Sequence, residues 1–74
     1  MSNQILQQLS GKTVSVAVLH VTTGVKMTTH HPPTTLVIDG AHGAAGDVIF
    51  RLDRVTFAQF NARQGWWDIT VEQP

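Results

Sequence analysis

Two arginines three residues apart, Arg51 and Arg54, bracket Asp53 in the stretch DVIFRLDRVTFAQF, residues 47–60. Guanidinium groups bind phosphates and carboxylates through charge-assisted, often bidentate hydrogen bonds. Phosphate contacts of this kind weaken steeply with salt. The same two arginines can instead pair with Asp53 or Asp47 and serve only to shape a turn. His30 and His31, with His20 and His42, are the next candidates. Loop histidines can stack on bases or hydrogen-bond to them. Neighbouring histidines of a strand point to opposite faces, which argues against one metal ion held by both. Trp66 and Trp67 also point to opposite faces if they lie in a strand. One belongs to the core, and the other is free to stack on a base or to anchor an interface; the interface is the reading adopted for Trp66.

The remaining polar residues do not compose an active site. The chain has no cysteine, so thiolate nucleophiles, thiolate metal sites and disulfides are excluded. Asp39, Asp47, Asp53, Asp68 and Glu72 form no evident acid–base pair, and no Ser–His–Asp spacing stands out. The segment GAHGAAG, residues 40–46, has three glycines but lacks the Lys-Ser/Thr of a phosphate loop. The expectation is a protein that is not an enzyme and carries no metal or cofactor.

The elements that must position these residues read as strands. In residues 48–52, Val48, Phe50 and Leu52 alternate with Ile49 and Arg51. After a corner at Leu52-Asp53-Arg54 the apolar phase moves to Val55 and Phe57. A strand changes face only at a bulge, break or turn, so two short strands meet there. Asp53 could alternatively cap a helix over 54–64 ending at Gly65, but Val55, Thr56 and Phe57 favour a strand.

Before this centre, residues 2–10 predict a short helix with Ile5, Leu6 and Leu9 as its apolar stripe and Gly11 as its stop. Residues 12–21 predict a strand with Val14, Val16 and Val18 on one face. A turn at Thr22-Thr23-Gly24 leads to a second strand at 25–29, ended by His30-His31-Pro32-Pro33. A third strand is expected at 34–39, followed by a small, mobile hairpin tip at 40–46. Residues 61–65 predict a turn and 66–72 a last strand. There Trp67, Ile69 and Val71 face the core and Trp66, Asp68, Thr70 and Glu72 face away.

Length and composition limit what this plan can be. With 74 residues the chain makes one small domain, residues 1–74, whose core is marginal without a staple or a partner. Charged residues are 14% of the chain, against roughly 25% in typical globular domains. Few charges and 42% apolar residues suggest surface hidden against other copies. The formal net charge is zero, so no overall electrostatic footprint for nucleic acid is present. No apolar run reaches the roughly 20 residues of a membrane span, and no basic-then-apolar leader is visible. A cytoplasmic protein without membrane partners is expected.

QQLSGKTVSV and VIFRLDRVTF together resemble two segments of the Sm-like family of small β-barrels, in particular its divergent bacterial and phage members. The first resembles the family's opening, a short helix ending at Gly-Lys before a valine-rich strand. The second resembles the second Sm motif, where a hydrophobic strand reaches a basic residue, here Arg51, and turns tightly into the closing strand. Leu52 stands where that motif usually has glycine, and His30-His31-Pro32-Pro33 where the first motif has aspartate. The resemblance implies a mainly β fold: a short N-terminal helix followed by a strongly bent five- or six-stranded antiparallel barrel. It implies a homo-oligomeric ring of five to seven subunits in which strands of neighbouring copies pair. Val48, Phe50, Val55, Phe57 and Trp66 are then the candidate interface residues. It also implies binding of single-stranded RNA at the pore, with Arg51 and Arg54 facing it and His30 and His31 on a neighbouring loop. The alternative expectation is a structural or assembly protein of phage or mobile-element origin that binds another protein.

Overall fold

The structure, a computed structural model, describes residues 6–22 and 24–73. The chain is mainly β. It runs β1 (Thr13–Thr22), β2 (Val25–His30), β3 (Thr34–Asp39), β4 (His42–Ala45), β5 (Val48–Arg51), a single 3-10 turn (Leu52–Arg54), β6 (Val55–Asn61) and β7 (Trp66–Gln73). The strand order is β5-β4-β3-β1-β7-β6, with β2 paired to β1.

β1 organises the sheet. One of its edges pairs antiparallel with β2 over Ala17 to Thr22 and with β3 at Thr13 and Val14. Its other edge pairs in parallel with β7, from Val14 opposite Trp67 to His20 opposite Gln73. β2 and β3 act as one long strand broken at Pro32-Pro33. Proline cannot donate to a ladder, and the chain bends there, leaving the His31 N–H bonded to the Val16 carbonyl at 2.9 Å. Beyond the bend, β3, β4 and β5 form an antiparallel meander that folds over the valine face of β1.

The core lies between these two layers. Val14, Val16 and Val18 of β1, Ile69 and Val71 of β7, Leu36 of β3, Ala45 of β4 and Val48 and Phe50 of β5 are all buried, with Leu52 and Val55 beside the corner. Trp67 packs against this cluster. The alternation expected for β1, β5 and β7 is therefore the one observed.

Four expectations need correction. The sheet is mixed and seven-stranded, and it does not close into a barrel. Its two outer strands, β5 and β6, are joined by the 3-10 turn but share no ladder. β5 and β6 stand at the two ends of the strand order. The segment expected as a helix, residues 2–10, is helical only at Leu6 and Gln7 among its described residues. Residues 2–5 lie outside them, and from Leu6 onward the backbone makes tight turns, with the N–H groups of Leu9, Ser10 and Lys12 each bonded three residues back. Gly11, whose φ is 82°, ends the segment as expected. Leu6 and Leu9 are nevertheless buried in the core.

The third correction concerns residues 40–46, which are not a mobile tip but contain β4. Their small side chains are required by packing: a Cβ on Gly43 would stand 2.8 Å from Cζ of Phe50. Ala45 is 2% exposed. The fourth concerns the apolar phase after the corner. Residues 54–64 are not a helix, and β6 carries a register shift between Val55 and Phe57. The bulge keeps Val55 inside and turns Phe57 out, so that Phe57 is 46% exposed.

Candidate binding surface

The corner between β5 and β6 is set by the 3-10 turn. Leu52 is buried and pins the turn to the core, while Asp53 and Arg54 remain outside. Arg51 Nη2 donates to Asp53 Oδ2 at 2.8 Å, and both side chains are more than half exposed. This pair spans one turn of chain in full contact with water, so it contributes little to stability. It does neutralise Arg51 in part. Arg54 makes no ion pair among the described residues.

Arg51 and Arg54 line one cavity of about 400 Å³ with His42, Ile49, Phe50 and Gln73. The two candidate arginines are thus brought together, and His42 joins them because it lies directly opposite Arg51 in the β4–β5 ladder. His31 lies elsewhere, in an adjoining cavity of about 310 Å³ that also reaches His20, Asp47 and Ile49. His30 is on neither: it is the last residue of β2, opposite Ala17, and is exposed. The residues that sequence reasoning missed are Ile49 and Gln73, which border both cavities. Ile49 was legible as the outward residue of an apolar strand, and it is 69% exposed. Nothing local marks Gln73, which arrives here because β7 runs parallel to β1.

The backbone contributes as well. The Leu52 N–H bonds to the Ala41 carbonyl at 2.9 Å. In an antiparallel ladder successive residues direct their N–H and C=O groups to opposite edges. Phe50 and Val48, two and four residues earlier, therefore also bond towards β4. Ile49 and Arg51 direct theirs to the other edge of β5, which has no partner strand among the described residues. Val48, Ile49, Phe50 and Arg51 all border the two cavities. Consecutive residues point to opposite faces, so a hollow that touches all of them runs along the strand's edge.

The candidate interface residues divide. Val48, Phe50 and Val55 have their side chains in the core, so a neighbouring copy could meet only their backbone. Phe57 is exposed on β6, and Phe60 beside it is 49% exposed, its ring edge-on to Trp67 at 5.5 Å. Trp66 is half-buried on the outer face. Its indole N–H donates to Asp68 Oδ1 at 3.0 Å, and Asn61 Nδ2 donates to Asp68 Oδ2 at 3.1 Å.

Among the described residues no three His, Asp or Glu side chains come together in a way that could hold a metal ion, and no helix is long and apolar enough to cross a membrane. No protein-family model, curated protein or solved structure matches the chain.

Proposed function

We propose that the chain is a non-catalytic interaction module that binds protein, first of all another copy of itself, through the open edges of its sheet. The observation that carries this reading is the outer strand β6, which has one neighbour among the described residues and two exposed phenylalanines, Phe57 and Phe60. An unpaired edge with large apolar side chains is a template for strand pairing unless something covers it. The low charge content points the same way, since a lone small domain needs charged surface to stay dispersed.

Size measurement by native mass spectrometry, together with the 260/280 nm absorbance ratio, tests the reading. A dimer or larger closed oligomer that Phe57→Ser converts to monomer supports it. A wild-type protein that stays monomeric at high micromolar concentration overturns it. A closed ring of five to seven subunits would identify head-to-tail pairing of β6 with β5 of the next copy, the arrangement the Sm-like resemblance implies.

A second reading, binding of single-stranded RNA as in the Sm-like family, is favoured by one observation. Arg51 and Arg54 border the same cavity, with His42 beside them. Co-purified nucleic acid, or salt-sensitive binding of an oligonucleotide lost in Arg54→Glu, would support it. The absence of both at low salt would remove it.

A further inference from the structure

The free edge of β5 differs from that of β6. It borders two shallow, open hollows. The inner end of the β1–β2 hairpin and Gln73 of β7 stand across from it, and the two cavities along it total several hundred Å³. An extended segment can lie along this edge and pair with Ile49 and Arg51. The recess has the main features of a peptide site. It has backbone donors and acceptors in a row, at Ile49 and Arg51. It has apolar surface at Ile49, which is 69% exposed. And it carries opposite charges at its two ends: Arg54, with no ion pair among the described residues, next to His42 and the partly neutralised Arg51 at one, and Asp47 at the other.

We propose that the free edge of β5 is a docking site for an extended segment of a partner protein, which adds to the sheet as a further strand and places an acidic side chain against Arg54. Charge complementarity selects this occupant. Arg51 already has Asp53 as its partner at 2.8 Å, so the corner carries one guanidinium in excess, and that excess faces the hollow. Main-chain pairing with Ile49 and Arg51 supplies affinity independent of sequence, while the acidic residue fixes register and direction. β5 has four residues, about 13 Å of strand, so the segment that fits spans about four to six residues. The inference rests on the reading of the chain as a protein-binding module, but it uses a different edge from the one assigned to self-association.

The test uses two end-blocked peptides of alternating valine and threonine, one with two glutamates at one end and one with two lysines there. They are titrated into ¹⁵N-labelled full-length protein and followed by amide shifts and hydrogen exchange. The acidic peptide is expected to bind, with the amides of Ile49 and Arg51 gaining protection while those of Phe50 and Val48, already bonded to β4, change little. Arg54→Glu should weaken it by about tenfold and improve the lysine peptide, whereas Arg63→Glu, the same charge change in the turn before β7, should do neither. Ile49→Pro removes a free-edge donor and no β4 bond, so it should abolish binding. If that variant does not fold, an acidic peptide N-methylated at alternate residues makes the same test from the other side. Absence of binding at millimolar peptide, equal binding of both peptides, or binding by the methylated peptide would each overturn the proposal. If Phe57→Ser still converts an oligomer to monomer while the peptides fail, only the β5 inference falls. If the peptide binds to a protein that is monomeric throughout, self-association falls and the β5 site stands.

Discussion

The ring of Phe50 occupies the space above Gly43: a Cβ on that glycine would lie 2.8 Å from Phe50 Cζ and 3.0 Å from Cε2, with Leu36 Cδ1 at 3.4 Å behind them. The two residues are direct cross-strand partners, so neither can slide away without shifting a ladder. Gly43→Ala should therefore cost about 1–3 kcal/mol by overpacking, although glycine is otherwise unfavourable in a strand. Urea denaturation checks this; an unchanged midpoint would mean that Phe50 has another rotamer available.

Asp53 is expected to matter more for charge than for stability. Its pair with Arg51 is exposed on both sides, so Asp53→Ala should change unfolding free energy by less than about 1 kcal/mol. The substitution frees Arg51 beside Arg54 and should tighten binding of any anionic ligand at this corner. Affinity for the acidic peptide or for an oligonucleotide, measured at low and high salt, reads the effect. An affinity that does not rise would show that Arg51 does not reach the ligand.

The Asp68 carboxylate holds two neighbours, Trp66 through its indole and Asn61 through its amide. Asp68→Ala leaves both donors on a half-buried face without their acceptor, and should cost about 1–2 kcal/mol. The Trp66 indole N–H resonance should move and its exchange with solvent accelerate. A variant of unchanged stability with an unmoved indole signal would show that water replaces the carboxylate.

Phe57 and Phe60 should separate association from stability. Phe57 is turned out by the bulge in β6, so Phe57→Ser should weaken self-association and leave the unfolding midpoint nearly unchanged. Phe60 packs edge-on to Trp67, and Phe60→Ser should reduce both, the stability part by about 1 kcal/mol or more. Thermal unfolding and sedimentation velocity on the two variants distinguish the roles. Equal loss of stability in both would place Phe57 in a packed position.

Where a strand has one buried face and its neighbours differ in polarity, the side-chain pattern is enough to orient it. Val14, Val16 and Val18 against Thr13 and Ser15, and Trp67, Ile69 and Val71 against Asp68 and Thr70, point as the alternation requires, because burial with period two leaves no other solution. The corner at Leu52 to Arg54 is legible for the same reason, since the apolar phase breaks there. β4 is not. His42-Gly43-Ala44-Ala45 has no apolar contrast, and its glycine marks close approach to Phe50, a fact about a residue seven positions away. The site is divided in the same manner. Arg51 and Arg54 are marked by type and spacing, whereas His42, Ile49 and Gln73 join them only through the β4–β5 register and the parallel pairing of β7 with β1. That pairing is the decisive tertiary event. The sequence by itself determined which residues of β1, β5 and β7 are inward, because local alternation encodes it. Only the tertiary structure decided which strands are neighbours, because a pairing such as that of β7 with β1 joins residues far apart in the chain, which no local pattern encodes.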